Sequence, residues 1–309
     1  MVYFSVYQKG SRVLLYYLCD DAAKIRHVCY AYSDDGVNFT KPNLSMVSFN
    51  GNTNNNIINL DLDQMSFFYD SSTPGTPYKI FGMKLSDHQL YIASSKDGIS
   101  FTTNDQPVVD YYCDTQNQII YDPLQKKYKY YLRNFGYDTT IAKPYQKSFY
   151  YRQVCYFESD NITEIKVTPT AIYHPNSKTL NSLSTELPVI LNYSRSVSET
   201  DIYKPSIIRY ADNVYLSYAS VFHHYPPPPT GKFNGDGYNS VSLYTSTNGR
   251  DFTLYKENFI NNEPNSYYLA PGSVYKNSVL FTYYWKVYST HGAPNRVSDF
   301  VVRQCAITN

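Results

Sequence analysis

Ser33-Asp34-Asp35-Gly36-Val37-Asn38-Phe39 is the first of three copies of one short pattern. The others are Ser95-Lys96-Asp97-Gly98-Ile99-Ser100-Phe101 and Ser246-Thr247-Asn248-Gly249-Arg250-Asp251-Phe252. Each copy follows an alternating apolar run and has the form Ser-x-(Asp/Asn)-Gly-x-x-Phe. An Asp-Gly or Asn-Gly pair between strand-like runs predicts a β-hairpin with a type I′ turn. The recurrence of the whole pattern indicates a repeat architecture.

A second repeat consists of an apolar strand, a polar turn and a strand rich in tyrosine. Its five copies begin at Phe4, Phe67, Ile119, Ile207 and Ser273. Helical periodicity is almost absent, and runs of period two broken by Gly, Pro, Asn and Asp fill the chain, which is typical of an all-β fold.

The two repeats combine into units of four strands, with the Tyr-rich hairpin on the inside and the Gly turn leading to the outer strands. Units of four strands in radial repetition form a β-propeller. Five units of about 60 residues account for the 309 residues of the chain. We therefore predict a single domain over residues 1–309, a five-bladed β-propeller of mostly four-stranded antiparallel blades.

Some parts of the chain depart from this repeat. Unit three has a degraded turn at 159–165, and unit five is followed only by a late strand at 300–305. Residues 174–200 are polar with little strand pattern, and a Pro-rich stretch at 226–229 precedes a Gly-rich one at 231–237. Such insertions are either functional lids or mobile loops, and the pattern does not separate the two.

Composition excludes several functional classes. The net charge is +1 with no basic block, so no nucleic-acid footprint is visible. No run of 18 apolar residues predicts a transmembrane segment, and the N-terminus lacks the features of a signal peptide. We expect a cytoplasmic or virion-associated protein rather than a classically secreted one. Most of the 36 tyrosines are expected to fill the space between blades.

The five cysteines are scattered and include no Cys-x-x-Cys pair. An odd, unclustered set predicts reduced thiols in packed strands rather than a disulfide framework. No spacing of His, Cys or carboxylates typical of a metal site is present, so we expect neither a metal nor another cofactor.

Several segments in chain order resemble five-bladed propeller glycosidase-like proteins, the relatives of invertase, levansucrase and arabinanase. Residues 28–44 are similar to the "yA.S.DG..W.kP.L" line of that group, and residues 49–58 to its "fnG...NNi" segment. Further similarities are the line beginning at Asp114 and the Tyr283-Tyr284 pair followed by His291-Gly292. The resemblance implies the propeller fold and, as an expectation, glycan chemistry in the axial funnel.

The chain departs from known glycosidase propellers at three points. The invertase-type Asn-Asp-Pro line is missing, and the Asp-Gly spacing is one residue shorter than in a sialidase Asp box. Phe39, Phe101 and Phe252 occupy positions where relatives often carry Trp. These departures leave the catalytic role open.

In such propellers the ligand binds where the innermost strands begin, so residues about eight positions before each inner turn are candidates. A glycosidase needs a pair of carboxylates there, whose separation determines the stereochemical outcome. The predicted catalytic residues are Asp114, Asp63, Asp61, Asp201 and Glu199. The alternative is that Asp61 and Asp63 simply face water, while Asp70 and Asp122 cap their own turns.

Amides, cations and aromatic rings near the same strand ends could bind a sugar. The predicted substrate-binding residues are Asn55, Asn56, Asn117, Arg133, Arg152, Tyr203, His224, Tyr268 and His291. Arg133 and Arg152 either clamp a carboxylate on an acidic ligand or pair with Asp122 or Glu158 in the scaffold. His223 and His224 are adjacent, so only one of them can face the funnel.

Two functional classes remain after this reasoning, with a carbohydrate as the expected partner in both. The leading hypothesis is hydrolysis or transfer at a glycosidic bond, carried by Asp114 with partners from the other carboxylates. The alternative is a non-catalytic glycan-binding or structural propeller at a surface or in a virion. Two carboxyl groups at glycosidase distance favour the enzyme, whereas a funnel of Asn and Tyr alone favours a binding module.

Overall fold

The computed structural model describes residues 3–21, 23, 25–109, 113–137, 150–162, 170–173, 180–183, 187–192, 200–225, 237–261, 263–276, 279–291 and 302–307. These residues form strands and turns without a helix, so none of them provides a helix that could cross a membrane.

The strands form five antiparallel blades and one extra hairpin. Blade 1 contains β1 (Phe4–Lys9), β2 (Arg12–Asp20), β3 (Arg26–Ser33) and β4 (Ile57–Ile58). Blade 2 contains β5 (Asp63–Tyr69), β6 (Tyr78–Met83), β7 (Leu90–Ser95) and β8 (Thr102–Thr103). Blade 3 contains β9 (Gln118–Asp122), β10 (Lys127–Tyr137), β11 (Tyr150–Ser159) and β14 (Val189–Leu191), and the extra hairpin contains β12 (Thr170–Tyr173) and β13 (Leu180–Leu183).

In the last two blades the innermost strand is interrupted. Blade 4 contains β15 (Thr200–Lys204), β16 (Ile207–Ala211), β17 (Val214–His224), β18 (Gly237–Ser246) and β19 (Thr253–Ile260). Blade 5 contains β20 (Ser266–Leu269), β21 (Val274–Lys276), β22 (Val279–Val287) and β23 (Val302–Ile307). In both blades a break that contains a proline divides the innermost strand into two segments. Both segments pair with the same neighbouring strand, β17 in blade 4 and β22 in blade 5.

This architecture confirms the predicted all-β, five-bladed propeller. All five Tyr-rich hairpins form, each as the first two strands of its blade. Residues 174–200, which are polar with little strand pattern, lie largely outside the described residues, but β13 and β14 fall in this range and β14 supplies the outer strand of blade 3. The degraded turn of unit three lies partly outside the described residues, whereas the predicted late strand of unit five forms β23.

The repeated Ser-x-(Asp/Asn)-Gly turn joins the third strand of a blade to the chain that follows. In the first copy Ser33 Oγ accepts the Gly36 amide, and Asp35 Oδ1 accepts the amides of Val37 and Asn38. The same bonds recur in the second and third copies. Only the glycine has positive φ, so the predicted type I′ geometry is wrong and the turn is an Asx-type loop.

These turns also bind the blades to one another. Tyr16 of blade 1 donates its hydroxyl to the Gly98 carbonyl of blade 2 at 2.8 Å. Tyr131 of blade 3 does the same to Gly249 of blade 4, and Tyr283 of blade 5 to Gly36 of blade 1, both at 2.8 Å. The repeat therefore fixes neighbouring blades as well as closing each of its own hairpins.

Tyrosine hydroxyls make a second kind of contact between blades at the inner turns. Asp70 caps its own turn and accepts the hydroxyl of Tyr128 from blade 3. Asp122 caps the next turn and accepts the hydroxyl of Tyr215 from blade 4. The expected turn-capping role of these two aspartates is confirmed, and the tyrosine contact is an addition to it.

Five hydrophobic clusters fill the spaces between blades, one at each of the five interfaces. Tyr16 and Phe67 stack across the first interface with ring centroids 4.7 Å apart. The ring closes where the Val6 amide donates to the Pro271 carbonyl at 3.1 Å. Burial of aromatic rings at every interface accounts for much of the tyrosine content.

The propeller axis is blocked by polar side chains at mid-height. Gln116 donates to the carbonyls of Phe4 and Met65 and accepts from Lys204 Nζ, so its amide joins four blades. Towards the inner turns lies a cavity of about 220 Å³ lined by the inner strands of all five blades. The blockade separates this cavity from the end of the axis where the inner strands begin.

The cysteines differ in part from the sequence-based expectation. Cys19 and Cys29 form a disulfide between the adjacent strands β2 and β3, with their Cα atoms 6.1 Å apart. Cys113 and Cys155 are buried, and no disulfide among the described residues includes them. The sequence pattern could not reveal the pair because the register of β2 against β3 brings the two residues together.

The contact between blades at Gly98 can be tested by adding one methyl group. A Cβ at Gly98 would lie 2.9 Å from Tyr16 Oη, whereas a Cβ at Gly10, which also has positive φ, meets nothing within 4 Å. We expect Gly98→Ala to lower the free energy of unfolding by about 2–3 kcal/mol and Gly10→Ala by about 1–2 kcal/mol. Urea denaturation followed by circular dichroism measures both, and equal losses would contradict the proposed role of the contact.

Candidate functional site

The inner strands of the five blades begin at the same end of the axis, which we call the entry end. Side chains from all five blades meet there and form a group that we call the axial cluster. Its members are Tyr3, Gln64, Asp114, Arg133, Arg152, Asp201, Tyr203, Phe222, His224, Tyr268 and His291. Of the fourteen predicted site residues, Asp114 and seven others belong to the axial cluster.

Asp114 is the exposed carboxylate of the cluster and precedes β9 by four residues. Its Oδ1 accepts the Gln64 side-chain amide at 2.9 Å. Gln64 lies in a bulge of β5 with φ of 51°, and this bulge turns its amide towards blade 3. Asp114 therefore has a fixed orientation while its carboxylate reaches solvent.

Asp201 is the buried carboxylate of the cluster, with 1% of its surface exposed. Its Oδ2 lies 2.9 Å from Arg152 Nη1 and 2.8 Å from His224 Nε2. His224 is placed there because β17 pairs with β15, while the adjacent His223 points away and bonds Ser240. Arg152 thus places its positive charge directly beside the Asp201 carboxylate.

Arg133 lies beside this pair and is 2% exposed. It donates Nη2 to the Tyr203 carbonyl, and its guanidinium lies 5.3 Å from the Tyr203 ring centroid. Burial, and next the like charge of Arg152, lower the pKa of Arg133. The scaffold pairing considered for the two arginines, with Asp122 or Glu158, is absent among the described residues, since Arg209 pairs with Asp122 and Lys129 with Glu158.

Aromatic rings form the wall of the cluster on the side of blades 4 and 5. Tyr268 Oη lies 2.6 Å from His291 Nδ1 and also accepts the Asn239 amide at 2.9 Å. The His291 ring lies 5.0 Å from that of Tyr203 and 5.2 Å from that of Phe222. Tyr203 and His291 are half-buried, so their rings are partly accessible from the entry end.

Tyr3 completes the cluster from blade 1. Its hydroxyl lies 3.4 Å from Tyr203 Oη. Burial, and next the neighbouring Tyr203 and Asp114, raise the pKa of Tyr3 well above its ordinary value, so its hydroxyl remains a hydrogen-bond donor.

The other predicted carboxylates are placed differently. Asp63 is 5% exposed, and both of its oxygens accept Arg26 Nη1, at 3.1 and 2.8 Å. Asp61 is exposed and has no bond to the axial cluster among the described residues. Glu199 lies outside the described residues.

The three predicted asparagines use their amides for the backbone. Asn55 donates to the Val47 carbonyl, and Asn56 donates to the Tyr30 carbonyl and to Tyr17 Oη. Asn117 is 1% exposed, donates to the Cys113 and Thr115 carbonyls and accepts the Arg133 amide. Asn117 thus holds the turn that carries Asp114 against the strand that carries Arg133.

Sequence reasoning missed three members of the cluster. Tyr3 opens the first inner strand and would have been found by applying the strand-start rule to unit one. Gln64 reaches Asp114 through a bulge, and Phe222 packs from a second strand. A bulge and a contact from a second strand leave no signal in residue spacing.

No model of a known protein family matches the sequence. No curated protein matches it either. Solved structures with the same fold include an endo-arabinase from Bacteroides thetaiotaomicron, at TM-score 0.53 and 10% identity over 100% of this chain and 94% of that one. An endo-1,4-β-xylanase from the same organism aligns with TM-score 0.54 and 13% identity, again over 100% and 94% of the two chains.

A glycosyl hydrolase from Bacteroides ovatus aligns over 98% of this chain and 86% of its own, with TM-score 0.55 and 11% identity. The resemblance to five-bladed propellers of the glycosidase type is thus confirmed for the fold. Identities this low carry no residue roles from those proteins to this chain.

Lys204, directly below the cluster, makes stability depend on pH. Burial lowers its pKa from 10.5 to about 7, so above neutral pH the unfolded chain holds a proton that the folded chain lacks. The free energy of unfolding should therefore rise from pH 7 towards pH 10. Below pH 7 Lys204 is protonated in the folded chain as well, so the full cost of burying its charge applies.

We expect the unfolding free energy of the wild type to increase between pH 7 and 9 relative to that of Lys204→Met. Lys204→Met also loses the hydrogen bond to Gln116, which shifts its free energy of unfolding by a constant amount at every pH. The comparison therefore uses only the slope of the unfolding free energy against pH. Denaturant titrations at several pH values measure them, and parallel profiles would show that Lys204 is not responsible.

Proposed function

We propose that the axial cluster binds a carbohydrate and catalyses hydrolysis or transfer at a glycosidic bond. The observation that carries this proposal is the convergence of Asp114 and Asp201 with aromatic rings at the entry end. Paired carboxylates are the chemical requirement of most glycoside hydrolases, and aromatic faces are suited to sugar rings. The glycosidase-type fold of the structural neighbours supports the same conclusion.

The surroundings of the two carboxylates assign them different roles. Asp201 is paired with Arg152 and His224, and in this proposal it stabilises the positive charge that develops on the sugar ring or acts as the nucleophile or base. Asp114 is exposed and bonded through one oxygen to a neutral amide, which leaves the other oxygen able to exchange a proton with the substrate. Asp114 is therefore the general acid/base in this proposal.

Binding without cleavage is the second candidate function. Asp63 is tied to Arg26 through both oxygens, and Asp201 is tied to Arg152 and His224. Such pairing leaves Asp114 as the one exposed carboxylate among the described members of the axial cluster. A site of this kind can hold a glycan as a lectin does, with no reaction.

Asp114→Asn separates the two candidates. If the protein is an enzyme, this change should reduce turnover about 10²- to 10⁴-fold, because a proton-transferring group is lost while its shape is kept. Arabinan and xylan, named for two structural neighbours, are the first substrates to test, by release of reducing ends. Asp105→Asn, a change at an exposed position outside the cluster, is the matched control.

Turnover that is unchanged in Asp114→Asn but present in the wild type would contradict the assignment. Binding of a glycan by both proteins, with no turnover by either, would favour the binding module. Circular dichroism of the two variants checks that both are folded.

A further inference from the structure

Arg133 presents a buried positive charge that the described part of the protein does not neutralise directly. The side chain is 2% exposed, and the single hydrogen bond of its guanidinium there goes to the Tyr203 carbonyl. No carboxylate of the described residues lies within ion-pair distance of it. A guanidinium offers five N–H donors, and burying it without an anion is unfavourable.

Arg152 brings a second guanidinium to the same place. Arg152 of β11 is opposite Phe135 of β10 in the register, and Arg133 lies two residues from Phe135. The two arginines therefore project from the same face of blade 3, because side chains two apart share a face of a strand. Both guanidinium groups lie over the Tyr203 ring, at 5.3 and 5.8 Å from its centroid.

The nearby anions leave room for one more negative charge. Asp201 Oδ2 is paired with Arg152 and His224, and Asp114, whose charge raises the pKa of Arg133, is exposed and hydrogen-bonded to Gln64 rather than to Arg133. The like charge of Arg152 acts on Arg133 from nearby. An anion placed beside Arg133 would relieve this repulsion and use its remaining donors.

The geometry points to a carboxylate-bearing sugar as the occupant of the axial cluster, with its carboxylate at Arg133 and Arg152 and its ring against Tyr203 and His291. This inference rests on the proposed function, because it names the class of sugar that the same site accepts. Guanidinium groups bind planar carboxylates through paired hydrogen bonds, and the half-buried rings beside them supply the stacking face. The carboxylate belongs either to a uronic acid or to a sialic acid.

The test compares matched pairs of sugars on the full-length protein by isothermal titration calorimetry. One arm uses digalacturonic acid and its carboxyl-reduced form, and the other uses sialyllactose and lactose. We expect the acidic member of one pair to bind at least about tenfold more tightly than its neutral counterpart. The arm that shows the preference identifies the source of the carboxylate.

Arginine variants locate the effect. Arg133→Gln should weaken binding of the acidic sugar about tenfold to a hundredfold and remove most of its advantage over the neutral counterpart. Arg133→Lys keeps the positive charge but lacks the paired N–H donors of a guanidinium, so it should recover only part of the affinity lost in Arg133→Gln. Arg12→Gln is the control, since Arg12 is exposed and pairs with Asp34 near the hairpin turns of blade 1.

Equal binding of acidic and neutral sugars by the wild type would overturn the inference, as would absence of binding in both arms. A sulfated disaccharide that binds more tightly than either carboxylate would overturn the carboxylate assignment. The wild-type comparison needs no variant, so it decides the matter even if Arg133→Gln does not fold.

Failure of this inference is distinguishable from failure of the proposed function. Neutral glycans that bind, and whose turnover depends on Asp114, would leave the proposed function intact and remove only the acidic substrate class. Absence of binding by every acidic and neutral sugar would remove both.

Discussion

The hydrogen bond from a tyrosine hydroxyl to the glycine carbonyl of the neighbouring blade is the contact on which the arrangement depends. It occurs from blade 1 to 2, from 3 to 4 and from 5 to 1, always from the second strand of one blade to the Gly turn of the next. One such bond contributes only about 1 kcal/mol, but its geometry fixes the height and angle of each blade. A Cβ at Gly98 would lie 2.9 Å from Tyr16 Oη, and a Cβ at Gly249 would lie 3.0 Å from Tyr131 Oη.

The position of the blades in turn determines the site. Residues at the starts of the inner strands contact residues of other blades. Gln64 of blade 2 donates to Asp114 of blade 3, and Tyr203 of blade 4 accepts from Arg133 of blade 3. Gln116 and Lys204 join the inner strands just below and block the axis. In the cluster, charges from blades 3 and 4 therefore lie opposite rings from blades 4 and 5.

The fold could be predicted because its signals are local and repeated. The Tyr-rich hairpin recurs in every unit and the Gly turn in three of the five, so one misread copy does not change the count. Within the cluster, Asp114, Asp201, Tyr203 and Tyr268 could be predicted from their place at or before the start of an inner strand. Arg133, Arg152, His224 and His291 could be predicted only from their residue type and local sequence. The ion pair of Asp63 with Arg26, the Cys19–Cys29 disulfide and the bulge at Gln64 depend on register between strands, which spacing along the chain does not reveal.

We propose that a glycan binds at the entry end of the axis and not in the cavity near the inner turns. A crystal structure of the protein soaked with an oligosaccharide that it binds in solution tests this directly. The account predicts density for a sugar ring between Arg133, Tyr203 and His291, with Asp114 at its edge. Density in the cavity lined by Tyr7, Phe68 and Arg209, or on the outer face of a blade, would contradict it.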